Sequence, residues 1–254
     1  EAPHNSAMVY QSHQADMYLE GNAAQTLRDL ANAAKVDKAA VEARRKELAA
    51  AHDALVEKRN AAQAAARKKS PIDPVWLCAS LNAVMPNDTI YIDEVTTHTA
   101  TLRQHLVWND PQCLFTRQGG LGQGLGLSLG IKLGKPERQV VTLIGDGAFL
   151  YNPALGSLGA ARDYKLPTMT VIFNNKKYAA MQGMHQKMYP DGIAAEIDLY
   201  HGTHINPPDF VKVAESVGGY GEQVTDPEKL QEALKRGLQA NQSGKPAIID
   251  VIVT

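Results

Sequence analysis

Two short apolar runs, each ending in a small polar cluster, constrain this chain most. Residues 139–144 (Gln-Val-Val-Thr-Leu-Ile) and 168–173 (Thr-Met-Thr-Val-Ile-Phe) have the near-continuous apolar texture of strands buried on both faces of a parallel sheet. Between them, from about Pro153 to Tyr164, the composition is helical, so the stretch reads as one right-handed βαβ unit. Such a unit brings the carboxyl ends of its two strands to the same sheet edge. There the sequence places Gly145-Asp146-Gly147 after the first strand and Asn174-Asn175 after the second. Asp146 and Asn175 are therefore expected to be neighbours, one offering a carboxylate and the other an amide carbonyl. Both are hard oxygen donors of the kind Mg²⁺ takes, with water and substrate phosphates filling the rest of its octahedron. Gly145 and Gly147 let main chain approach a phosphate, and the helix start that follows offers N–H groups to it. The pattern predicts a diphosphate held through a metal.

The remainder of the chain frames that unit. From Ser70 onward helices and strands alternate: a helix opened by Asp73-Pro74 and running to about Met85, a strand at 89–93, and a short strand at 113–116. A Gly-rich helix to about Leu133 follows, and after the βαβ unit come helices at 207–217 and 227–241 around a strand at 220–224. The chain closes on an apolar strand at 247–253. This alternation predicts an α/β fold, a doubly wound parallel sheet with helices on both faces, whose ligands sit at the carboxyl ends of the strands. Ahead of it, residues 37–70 read as a largely solvated linker helix with Asp37 as its N-cap and a thin apolar stripe of Val41, Leu48 and Leu55. Residues 1–36 hold a mixed stretch and a helix near 22–31. They do not resemble a signal peptide, and the absence of an initiator Met hints at an incomplete or processed chain.

Gly-Asp-Gly, then 26 residues (148–173), then Asn-Asn resembles the signature of thiamine-diphosphate-dependent enzymes. The resemblance runs over about 180 residues, from near Ser70 to Thr254, and leans toward the branch of benzoylformate decarboxylase and acetolactate synthase-like proteins. It implies thiamine diphosphate and Mg²⁺ as cofactors. Asp146, Asn175 and the main-chain carbonyl of Lys177 would be the metal ligands, and residues 71–254 the cofactor domain. Residues 1–36 would be the remnant of a middle domain. It further implies that Thr96, Thr97, Gly145, Gly147, Ala148, Tyr151, Tyr178 and Ala179 surround the diphosphate. Leu121, in the loop Gly119-Gly120-Leu121-Gly122, would be the apolar wedge that bends the cofactor, and Met181 would face substrate. Ala148 departs from the Ser often found there and removes one hydroxyl.

Read without the family, several of these residues have plainer roles. Thr96-Thr97 is a helix N-cap region, Tyr151 and Tyr178 are core aromatics, and the stripe Met181, Met184, Met188 is flexible core rather than an acyl pocket. Asn174 reads as structural. His201 and His204 lack the carboxylate or Cys spacing of a metal pair and read as loop residues near the site's mouth.

In such enzymes a glutamate on a separate pyrimidine-binding domain activates the cofactor. No segment here matches that domain, and Glu94 reads better as a helix-cap or interface carboxylate. The resemblance therefore implies the cofactor-binding part of a 2-oxo acid decarboxylase. The pyrimidine-binding domain would come from the same gene product or a second subunit, within a homo-oligomer acting on a small 2-oxo acid. An acetolactate synthase-like carboligase and a non-catalytic cofactor-binding module are the alternatives. Residues 174–181 lack the Gly-Met-Val and following Trp of acetolactate synthases, which favours the decarboxylase.

A formal net charge of −1 argues against nucleic acid or an anionic membrane as partner. No apolar run reaches the ~18 residues that a membrane span needs. Cys78 and Cys113 lack metal-ligand spacing and read as small buried hydrophobes in a reducing cytoplasm.

Overall fold

The computed structural model describes residues 16, 17, 19–116 and 119–254; the opening hexapeptide and most of 1–18 lie outside the described residues. The chain divides into two compact units, 1–56 and 57–254. In the first, α1 (Ala23–Ala33) is capped by Asn22, whose side chain accepts from Gln25 N–H. The long helix α2 (Lys38–Ala66) starts on Asp37, which accepts from the N–H groups of Ala39 and Ala40. Val41, Leu48 and Leu55 are exposed, so the stripe is solvated as the composition predicts. The division falls inside α2 rather than near Ser70. Its last turns belong with the larger unit, where Ala66 is buried and Gln63 reaches the carbonyl of His105.

In the larger unit the elements follow as α3 (Pro74–Val84), β1 (Ile90–Glu94), α4 (Thr99–His105), β2 (Leu114–Thr116), α5 (Gly124–Gly134), β3 (Val140–Gly145) and α6 (Asp146–Phe149). Then come α7 (Ala154–Asp163), β4 (Met169–Asn174), α8 (Ala179–Met188), α9 (Ile193–Glu196), α10 (Phe210–Glu215), β5 (Tyr220–Val224), α11 (Leu230–Gln242) and β6 (Ala247–Ile252). The strands form one sheet in the order β2-β1-β3-β4-β6-β5, every neighbouring pair parallel. This is the expected doubly wound architecture. The single turn α6, directly on the end of β3, has no counterpart in the sequence pattern; four residues are too few to show a helical period.

Alternation along each strand divides the core. Val141, Leu143, Val171, Phe173, Ile249 and Val251 face one side with α3, α4 and α11, while Ile144, Ile172 and Ile248 face the other with α5, α7 and α10. At about 25 cal/mol per Å² of apolar surface, a strand whose side chains are buried on both faces is held far more firmly than its loops. Register then sets the site. Glu94 pairs with Ile144, Gly145 with Phe173, and Asn174 with Ile252, so β1, β3 and β4 end at nearly one level. Among the described residues no helix is long and apolar enough to cross a membrane. Cys78 and Cys113 are free and fully buried, and burial pushes the Cys78 thiol up to about 12, consistent with inert core residues.

Candidate active site

A cavity of about 320 Å³ opens at the carboxyl ends of β1, β3 and β4. Its walls come from the turn after β1 (Thr96, Thr97), from Leu121, from the segment after β3 (Gly145, Asp146, Gly147, Ala148, Tyr151) and from that after β4 (Asn175, Lys177, Tyr178, Ala179, Met181). Every residue that the resemblance assigns to cofactor, metal or substrate lines it except Gly119 and Gly120. Those two belong to the same turn, where Gly119 takes a positive φ of 87°.

Asp146 is the first residue of α6 and only 2% exposed. Burial pushes its carboxyl up to about 6, against the opposing pull of N–H groups from Gly147 and Lys176, and the nearby Asp250 carboxylate adds to the rise. Its Oδ2 is buried and has no hydrogen-bond partner. A buried carboxylate oxygen without a donor is costly unless a cation completes it.

The loop after β4 brings Asn175 and Lys177 to the same cavity. Lys176 sits in the left-handed region (φ 58°), a strained conformation for a non-glycine residue. Two side-chain turns hold it there: Lys176 N–H donates to Asn174 Oδ1 (3.2 Å) and Lys177 N–H to Asn175 Oδ1 (3.0 Å). Asn174 is indeed structural, since its Nδ2 also donates to buried Asp250 (2.9 Å), which in turn accepts from Gln223 (2.7 Å). On the far side, Lys177 bridges His204, and Tyr178 N–H donates to the carbonyl of Thr203 (2.7 Å). The histidine loop is thus a pairing partner of the Asn-Asn loop. Among the described residues no cluster of three or more His, Cys, Asp or Glu could hold a metal. One carboxylate, one side-chain amide and main-chain carbonyl oxygen is instead a donor set that suits Mg²⁺ carrying phosphate and water.

Several plainer expectations fail. Thr96 and Thr97 do not cap a helix, because α4 begins at Thr99 after His98 and has no side-chain cap. Tyr151 is 60% exposed rather than core, and its ring meets that of Tyr178 edge-on at 6.3 Å. The Tyr178 ring packs against Gly147, where an added Cβ would lie 2.7 Å from Cδ1 and Cε1. The methionine stripe is not core either: α8 buries no residue, and Met181, Met184 and Met188 face solvent.

Sequence reasoning misses five residues of the cavity wall, Val95, His98, Phe173, Ala180 and Gly202, and two of them carry aromatic rings. His98 stacks on Phe173 at 5.9 Å, its Nε2 is buried without a partner, and desolvation lowers its pKa, favouring the neutral ring. The available signal is a titratable residue directly following Thr96-Thr97. Phe173 reads from its pattern only as strand; its place at the strand end, in register with Gly145, turns it toward the cavity.

Residues 94–251 match the model of the thiamine pyrophosphate enzyme C-terminal TPP binding domain. The chain belongs to this family. As a C-terminal TPP-binding domain it is 29% identical over 189 residues to benzoylformate decarboxylase of Pseudomonas aeruginosa, covering 74% of this chain and 34% of that protein. It is also 29% identical over 190 residues to the acetolactate synthase isozyme 3 large subunit of Escherichia coli, covering 72% and 31%. The thiamine diphosphate-dependent 4-hydroxybenzoylformate decarboxylase of Rhodococcus jostii superposes on it with a TM-score of 0.65 at 30% identity, over 73% of this chain and 33% of that one. The TPP-binding domain thus spans about a third of the length of the relatives it matches.

Proposed function

We propose that this chain is the cofactor-binding part of a thiamine-diphosphate-dependent 2-oxo acid decarboxylase of the benzoylformate decarboxylase type. The observation that carries the reading is the buried, unpartnered Oδ2 of Asp146, a residue that lines the same cavity as Asn175 and Lys177. In this reading Asp146, the Asn175 side chain and the Lys177 main-chain carbonyl hold Mg²⁺. The metal and the N–H groups at the start of α6 then hold the diphosphate. Thr96, Thr97, Tyr151 and Tyr178 close around it, Leu121 supports the ring end, and Met181 lies toward the substrate. When bound, the cofactor supplies an electron sink for cleaving the bond beside a 2-oxo carbonyl. The chain's own residues position it, exclude water and fix the charge of the phosphate end. The activating glutamate would come from a pyrimidine-binding domain, in the same gene product or another subunit of a homo-oligomer.

Calorimetric titration of thiamine diphosphate into the chain with and without Mg²⁺ tests the binding. Uptake that requires Mg²⁺ and disappears in Asp146→Ala is the expected result, and uptake unchanged by either would refute it. Acetolactate synthases among the relatives keep a carboligase in view. Product analysis of the chain mixed with a pyrimidine-binding domain separates the two, because one releases an aldehyde and the other joins two oxo acids.

A further inference from the structure

Glu94 is the last residue of β1 and is fully buried. A carboxylate in that position costs several kcal/mol unless donors surround it. Four do. The N–H groups of Gly122 (2.5 Å) and Gln123 (3.1 Å) donate to Oε1, while Gly124 N–H (2.8 Å) and Asn152 Nδ2 (3.2 Å) donate to Oε2. Gln123 and Gly124 offer open N–H groups at the start of α5, and Gly122 belongs to the turn just before it. Glu94 therefore caps this helix from another strand, and these groups are not available to an anion in the cavity.

Asn152 completes the hub. Its Oδ1 accepts from Leu125 N–H (3.1 Å) and its Nδ2 also donates to the carbonyl of Ala148 (3.0 Å) in α6. Close packing seals the arrangement. A Cβ on Gly124 would lie 2.5 Å from Glu94 Oε2, and one on Gly122 (φ 87°) would lie 2.5 Å from the carbonyl of Tyr151. The end of β1, the loop carrying Leu121 and the segment after β3 are thus joined through two side chains. These same three segments form walls of the cavity.

We propose that Glu94 and Asn152 are a positioning pair that fixes Leu121 in the cavity wall, so that the ring end of the cofactor depends on them and the diphosphate end does not. This rests on the cofactor reading given above. Neither residue lines the cavity; both act through the 121–125 main chain. In Glu94→Gln one acceptor oxygen becomes an NH₂ group set against N–H donors, and the loop loses its anchor.

Two probes separate the ends of the site: thiamine diphosphate with Mg²⁺, and inorganic pyrophosphate with Mg²⁺. Glu94→Gln should weaken the first by about tenfold, the scale of one lost hydrogen bond to a charged group, and the second by less than about threefold. Asn152→Ser should show the same split and serves if Glu94→Gln does not fold. Hydrogen exchange at the amides of Gly122, Gln123 and Gly124 should accelerate in both variants. Equal losses for the two probes would reduce the pair to a helix cap, and no loss for either would also overturn the proposal. If the unmodified chain binds neither probe, the cofactor reading itself fails and the proposal falls with it. If it binds both and the variants match it, only the positioning role fails.

Discussion

Replacing Asp146 by asparagine should make the metal-free chain more stable while removing its affinity for metal. The folded carboxyl stands at about 6 against an ordinary 3.8, chiefly because burial penalises its charge. About two units at 1.36 kcal/mol each put the cost of carrying that charge in the folded chain near 3 kcal/mol. The amide removes the charge but leaves an N–H where Oδ2 finds no partner, a cost of about 1 kcal/mol. The net expectation is a gain of about 1–2 kcal/mol above pH 7, read by urea unfolding in EDTA. The sign in pH follows from the raised pKa. Above pH 6 the wild-type group is charged in both states and the folded state carries the penalty. As pH falls through 6 the folded chain takes up a proton and recovers stability. Below the ordinary value of 3.8 both states are neutral, and the advantage of the Asp146→Asn variant is gone. Saturating Mg²⁺ and thiamine diphosphate should reverse the order, since ligand at a hundredfold over Kd adds about 2.7 kcal/mol to a chain that binds it. Equal or lower stability of Asp146→Asn at pH 7.5 in EDTA would refute the reasoning, as would an equal gain with cofactor.

Three further substitutions probe the same edge of the sheet. Gly147→Ala places a methyl against the Tyr178 ring and should cost about 1–3 kcal/mol in urea unfolding while weakening Mg²⁺-dependent diphosphate uptake. Asn174→Asp sets a second carboxylate against Asp250 in a buried site and should destabilise by about 3 kcal/mol at pH 7.5; the loss should shrink in acid, where either group can take a proton. Leu121→Ala alters a half-exposed side chain, so thermal stability should move by no more than about 0.5 kcal/mol, while thiamine diphosphate affinity falls and pyrophosphate affinity holds.

The parts of the fold that are legible in the sequence are those with a short period. Apolar runs at 139–144 and 168–173 fit strands of a two-sided sheet, and Gly-Asp-Gly and Asn-Asn directly follow them, so the cavity-facing edge is readable. The partners of long-range bonds are not. Glu94 is readable as a cap, but not as the anchor of a loop some thirty residues on, because no spacing rule links a strand end to another element's helix start. His98 stands beside two threonines whose hydroxyls draw the chemistry away from it. The methionines of α8 read as core because composition carries no record of which helix face is covered.

That uncovered helix has a consequence for the order in which the site forms. The first residues of α8 make one wall of the cavity, yet α8 buries nothing. It is tethered where Tyr178 meets Thr203, and where His185 rests against Tyr200 at 5.6 Å. An element so lightly held opens at a free energy well below that of the sheet. On this argument the loops after β3 and β4 should be set when the strands pair, whereas this wall should keep its own opening equilibrium afterwards. A large cofactor can enter by that route without disturbing a single bond of the β3–β4 ladder.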